Sequence, residues 1–265
     1  MTKLVALVAL VLAACQHDHH HAAAPTEAAS TAPLTEAGIA IPIAAGKTDA
    51  WRAALDELLG PRYAEYEASR KRYGLTSQTT FLQRTPMGDF ALIHMTGADV
   101  RASFHAMSTS QDPWDVKWRA MTQDLHGLDF AKGEPVTPSV VPLFAMEGTG
   151  GKPFMFLAPL GDGGAARLHE LASEISTTRH ADYVHARTAI GVHREAVFLE
   201  STGQGDMVVV YWLADDPIAS LKQLAASTDP FDRWLRGSLL HIHPISLDMI
   251  ATIASSNSLV ASFPH

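Results

Sequence analysis

β-Branched isoleucines alternate with smaller residues over the apolar run Ile39-Ala40-Ile41-Pro42-Ile43, which reads as a strand, and Pro42 confines it to a sheet edge or a strand end. Gly46 to Asp49 starts a helix, in which Trp51, Leu55, Leu58 and Leu59 recur at helical spacing. Gly60-Pro61 interrupts that helix, Tyr63 and Tyr66 carry its buried face onward, and Gly74 stops it. Two strands follow, Thr79 to Thr85 and Phe90 to Met95, separated by the turn residues Pro86-Met87-Gly88-Asp89; they predict a hairpin. A helix near Val100 to Met107 comes next. Another opens at Asp112-Pro113, with Asp as the cap and Pro at the first helical position. A short strand is expected near Leu128 to Phe130.

This pattern occurs twice. A shift of 117 positions lays residues 37–130 over residues 154–247 without a gap, and a fixed-period repeat sets the architecture before anything else does. Pro42 falls on Pro159, Arg62 and Tyr66 on Arg179 and Tyr183, and Arg70 and Gly74 on Arg187 and Gly191. Phe81 and Leu82 fall on Phe198 and Leu199, Gly88-Asp89 on Gly205-Asp206, Asp112-Pro113 with Asp115 on Asp229-Pro230 with Asp232, and His126 on His243. The second hairpin is Ala196 to Thr202 and Met207 to Leu213; its helices match at Pro217 to Leu224 and from Asp229; its last strand is expected near Ile245 to Leu247. The Gly60-Pro61 break has no counterpart in composition, because the second copy has Thr177-Thr178 there. Each copy reads strand–helix–strand–strand–helix–strand, the split βαβ order. The expected division is 37–130 and 154–250 for the repeats, 131–153 for a Pro- and Gly-rich linker, and 251–265 for a tail.

The first 36 residues differ from the rest. Met1-Thr2-Lys3 precedes an apolar run from Leu4 to Ala14, too short for the roughly 20 residues of a membrane span and of the kind found in secretory signals. Leu12-Ala13-Ala14-Cys15 resembles the lipobox of bacterial lipoproteins. The resemblance implies a signal peptide over 1–14, lipid on Cys15 and attachment in the cell envelope. Gln16 after the cysteine resembles the sorting pattern that favours the outer membrane, facing the periplasm. Cys15 is the single cysteine, so no disulfide is available to the exported part. Residues 15–36 are rich in Ala, Thr, Pro and His and read as a flexible tether. His17, His19, His20 and His21 are a weak candidate metal site, since imidazoles at that density bind divalent transition metals without selecting among them. The net charge of −8 and the lack of a basic cluster exclude nucleic acid as a natural partner.

The residues Phe81-Leu82-Gln83-Arg84-Thr85-Pro86-Met87-Gly88-Asp89 and Asp112-Pro113-Trp114-Asp115, with their partners Phe198-Leu199-Glu200-Ser201-Thr202, Gly205-Asp206 and Asp229-Pro230-Phe231-Asp232, resemble the dimeric α/β-barrel superfamily of ferredoxin-like domains. That resemblance implies an α+β fold of two tandem ferredoxin-like units, joined within one chain as an intramolecular pseudo-dimer. The superfamily includes cofactor-free oxygenases, haem-dependent enzymes and plain binding proteins, so the fold alone selects no function.

His126 and His243 are the candidate catalytic residues, and with Arg70 and Arg187 the candidate ligand-binding ones. A histidine between the last helix and the last strand can transfer protons or ligate, or simply bond a helix-end carbonyl or a neighbouring Asp. Arg70 and Arg187, near the end of the long helix, can clamp a carboxylate or phosphate, stabilise the helix C-terminus or pair with a shared aspartate. The sequence contains no phosphate loop, nucleophile elbow or zinc-protease motif, and no motif requires a cofactor, although the family admits haem. Three functions remain: binding of a small apolar or aromatic ligand, cofactor-free or haem-dependent oxygenation, and a structural or interaction module.

Overall fold

The first predicted strand is present as β1, Glu36–Pro42, and its helix is split in two as expected: α1, Thr48–Leu59, and α2, Tyr63–Arg72. β2, Leu75–Thr85, and β3, Gly88–Gly97, make the hairpin, followed by α3, Val100–Thr109, and α4, Pro113–His126. Then come β4, Ser139–Met146; β5, Lys152–Pro159; α5, Gly164–Ser176; α6, His180–Ala189; β6, Val192–Thr202; and β7, Gly205–Ala214. The chain closes with α7, Pro217–Ala226; α8, Pro230–Ile242; α9, Leu247–Ala254; and β8, Ser258–Phe263. This computed structural model describes residues 32–128, 139–202 and 205–264, and Pro33–His265 is one compact unit.

Local chemistry explains the boundaries. Asp112 and Asp229 cap α4 and α8, their carboxylates accepting from the backbone N–H of Trp114 and Phe231 at 2.9 and 2.8 Å. Arg119 and Arg236 donate to the carbonyls of Met107 and Leu224, both at 2.8 Å, which ties each capped helix to the one before it. The second copy breaks its first helix too, between Ser176 and His180, although it lacks Gly-Pro. The geometry, not the breaker residues, requires the bend.

Both sheets are antiparallel and four-stranded, in the orders β1-β3-β2-β8 and β4-β6-β7-β5. The chain is thus an α+β protein of two tandem ferredoxin-like units closed into a pseudo-dimeric α/β barrel. The fourth strands, however, are not where the pattern placed them. Ile245 and Ser246 lie outside any strand and Leu247 opens α9; Leu128 is not in a strand, and Asp129 and Phe130 lie outside the described residues. The segment expected as a linker carries β4, which pairs with β6 of the second copy; the segment expected as a tail carries β8, which pairs with β2 of the first. The halves exchange their last strands.

The exchange obeys the repeat. Phe144 pairs with Val197, and Ala261, 117 positions later, pairs with Thr80, each beside a register shift at the same place. The duplication therefore extends through the fourth strand, where side-chain identity has been lost but pairing has not.

The sheets meet face to face over Phe81, Leu92, Met155, Leu157, Phe198 and Val209, all buried. Gly38 lies at the closest approach: a Cβ there would come within 2.6 Å of the Phe198 ring. Strands β1 and β5 each leave an open edge, which in isolation would template further pairing. The other half covers it. Glu200 accepts from the Ala40 N–H at 2.7 Å. Its repeat partner Gln83 accepts from the Leu157 N–H at 3.0 Å and donates to the Leu157 carbonyl at 3.2 Å.

Candidate functional site

Between each sheet and its helices lies a cavity, about 80 Å³ in the first half and about 70 Å³ in the second. The two are one site seen twice. Ile41, Trp51, Arg70, Gln78, Met95 and His126 line the first; Ala158, Leu168, Arg187, Glu195, Trp212 and His243, each 117 positions later, line the second. The first adjoins a surface groove of about 270 Å³ between α1 and α4, with Ala54, Leu58, Trp118 and Met121 lining both; the second adjoins one of about 190 Å³, with Leu239, His243, Leu247 and Ile250 lining both. Its walls are mostly apolar with few polar groups, the usual constitution of a small-molecule site.

His126 ends α4, and its Nδ1 donates to the Pro42 carbonyl at 2.9 Å; His243 follows α8 and makes the same bond to the Pro159 carbonyl at 2.8 Å. Because Nδ1 faces a carbonyl it carries the proton, leaving Nε2 as the ring's acceptor. Burial pushes both imidazoles below their ordinary value, against a smaller opposing effect of the proline carbonyls. Each ring is therefore neutral at pH 7 and joins the first strand of its half to the end of the last helix.

The arginines diverge. In the second half Arg187 donates from Nε to Glu195 at 2.6 Å, Tyr183 donates to the same carboxylate at 2.8 Å, and Asp232 stands 3.8 Å from Nη1. Burial would lower the Arg187 guanidinium, but Glu195 and its neighbours outweigh it and hold it above its ordinary value. In the first half the position of Glu195 is Gln78, whose amide donates to Thr80 at 3.4 Å. Arg70 is just as buried, at 3% exposure, yet Nη1 reaches only the Met107 sulfur at 3.1 Å and Nε is a buried donor with no acceptor. The Tyr66 and Trp118 rings lie 4.8 and 5.6 Å from its guanidinium carbon. Here burial prevails and pushes Arg70 below its ordinary value, although an arginine stays charged at any physiological pH.

Asp115, the counterpart of Asp232, does not make up the difference. It accepts from Ser69, Tyr73 and Ser110 and pairs with Arg72 at 3.2 Å. The second copy has Ala186, Ile190 and Ala189 where Ser69, Tyr73 and Arg72 stand. Asp115 is bonded by Ser69, Tyr73, Ser110 and Arg72, whereas Asp232 stands near Arg187.

The tryptophans separate by task. Trp118 lines the first cavity and Trp212 the second. Trp114 and Trp234 instead lie under Arg62 and Arg179, at 4.2 and 4.1 Å, so the retained arginine finds a ring at a different helix position in each copy. Asp89 accepts from the Thr48 hydroxyl at 2.7 Å, tying the hairpin to the start of α1. Cys15, His17, His19, His20 and His21 lie outside the described residues. Reading the sequence missed Gln78 and Glu195. The signal was available: a neutral residue and a charged one at one repeat position, in a strand, each lining the cavity of its half's arginine.

The cavity and the adjoining groove of the first half, about 80 and 270 Å³, lie at or below the small end of the roughly 300–1,000 Å³ of sites for drug-sized molecules, the scale of a small ligand.

No family model matches the chain, and no curated protein matches it. Among solved structures it is similar to a "putative monooxygenase" from Fusobacterium nucleatum subsp. nucleatum, with 8% identity over 88% of this chain and 95% of that one and a TM-score of 0.48. It is also similar to an "anthrone oxidase-like protein", with 11% identity over 86% of this chain and 91% of that one and a TM-score of 0.35. Likeness at this level carries no argument about chemistry.

Proposed function

We propose that the chain is a lipid-anchored envelope protein whose first half binds a small apolar or aromatic ligand in the cavity between β-sheet and helices. The observation that carries this reading is the cavity itself, placed identically in both halves, with apolar walls and an arginine and a histidine at its polar end. In the first half it adjoins the α1–α4 groove across Ala54, Leu58, Trp118 and Met121, the route by which a ligand would enter. The anchor is Cys15, with Gln16 directing the chain to the outer membrane on its periplasmic side.

Thermal unfolding of the full chain against a panel of small aromatic compounds tests the binding. A ligand at about 100 times its Kd raises stability by about 2.7 kcal/mol, a shift of several degrees; a panel that leaves the midpoint unmoved throughout rejects the reading. Metabolic labelling with a clickable fatty acid tests the anchor, with label expected on the wild type and lost in Cys15→Ala.

A second reading has one observation in its favour. His126 presents a neutral imidazole whose Nε2 is free to accept a proton, the role that cofactor-free oxygenation would ask of a base. Oxygen uptake with electron-rich phenols, present in wild type and abolished in His126→Phe, would favour it over binding alone.

A further inference from the structure

A buried cation without an acceptor is costly, because desolvation is not repaid by a partner. The second half avoids that cost by placing Glu195 against Arg187. The first half has the same arginine, equally buried, with an unpaired Nε at the wall of a cavity. No internal carboxylate bonds it: the glutamate is replaced by Gln78, and Asp115, whose charge still acts on Arg70 from a distance, is bonded by Arg72, Tyr73 and two serines. Aromatic faces lie near the guanidinium, but a ring offers no in-plane acceptor for an N–H. What is missing at Arg70 is what Glu195 supplies at Arg187: a carboxylate, bonded to Nε, at the inner end of an apolar cavity.

We propose that the first-half cavity takes a small organic acid, its carboxylate bound by Arg70 and its apolar body among Trp51, Leu58 and Trp118, while the second half is closed to such ligands because its own Glu195 occupies the anion position. The proposal rests on the ligand-binding reading above and specifies the ligand's head group. The second half serves as an internal record of the bound state: the Arg187–Glu195 bond of 2.6 Å is the contact an incoming carboxylate would make in the first. The planar fork of arginine suits that geometry. The carboxylate enters past Trp118 from the α1–α4 groove, whose walls include the ammonium-bearing Lys117.

The test is a titration of the full chain, by calorimetry and tryptophan fluorescence, with benzoate, phenylacetate and 3-phenylpropionate, each against its neutral amide. At least one acid is expected to bind at least tenfold more tightly than its amide, at one site per chain. Gln78→Glu is expected to erase that preference by installing the second half's glutamate beside Arg70, with folding checked by circular dichroism. Glu195→Gln is expected to raise the stoichiometry toward two. If acids and amides bind alike, the carboxylate assignment is overturned while ligand binding stands. If an acid preference survives Gln78→Glu unchanged, Arg70 is not the receptor and the proposal is likewise overturned. If no acid and no amide binds, both readings fall.

Discussion

His94 and Tyr211 occupy the same position in the two copies, and their rings stack at 3.7 Å with their planes 5° from parallel, where the sheets meet. The pseudo-two-fold axis of the molecule passes between them. Around this stack the symmetry has been given up. His94 donates from Nε2 to Glu36, and Glu36 also takes a bond from Arg194 of the other half at 2.8 Å, while the counterparts of Glu36 and Arg194 are Pro153 and Ser77.

Burial pushes His94 below its ordinary value despite Glu36. The folded state therefore binds fewer protons than the unfolded state in the region below pH 6.5, and stability falls as pH drops through it. The slope approaches about 1.4 kcal/mol per pH unit for each such group. His94→Phe keeps the stack and removes one titration, so urea unfolding between pH 7.5 and 5 should give a shallower acid limb. It should not flatten entirely, because His126 and His243 are lowered by burial in the same sense.

Glu200 works in the opposite direction. Burial raises its carboxyl to about 8, against a smaller lowering by the Ala40 N–H. The folded state holds a proton that the unfolded state releases near the ordinary value of 4.5, so stability present below that pH is lost as pH rises toward 8. Glu200→Gln copies Gln83, keeps an acceptor for Ala40 and removes the titration. We expect it to unfold at higher denaturant than wild type at pH 8, with the two converging near pH 4.5.

Gly38→Ala should cost about 1–3 kcal/mol, the usual range for overpacking a filled interior, because the new methyl meets the Phe198 ring. Phe198→Leu opens a void on its own. Combined with Gly38→Ala it should destabilise by less than the sum of the two single changes, a coupling that a double-mutant cycle in urea will read.

A fragment covering residues 33–147 contains one whole copy with β4, but in the intact protein β4 pairs with the other copy. Such a fragment should form a strand-exchanged dimer rather than a monomer, with a mass twice the chain's by light scattering. Removing residues 256–265 from the full chain should disturb the fluorescence of Trp51, Trp114 and Trp118 in the first half more than that of Trp212 and Trp234 in the second.

Much of this was legible in the residues. Pro42 and Pro159 marked edge strands, and β1 and β5 are edges. Asp112 and Asp229 marked helix starts because a cap is a local device. The fourth strands were not legible: the residues from Pro142 to Met146 and from Leu259 to Phe263 share no identity, since an edge strand asks only for backbone pairing and apolar bulk. The candidate site was half legible. The repeat picked out Arg70, Arg187, His126 and His243, and the structure brings one arginine and one histidine together in each cavity. The difference between the cavities lies at Gln78 and Glu195, a position where looking for identities between copies sees only a mismatch.

The exchanged strands also govern the order in which the molecule can come into being. A chain emerges from the ribosome at about 5–20 residues per second, and the first sheet lacks its edge until β8, made after the whole second repeat, is available. The first half is thus completed after the second. Until then its β2 edge is open and its cavity lacks the wall at Ala261, so a newly made chain would depend on protection of that edge over its whole synthesis, and a prematurely ended one would carry an unfinished binding half.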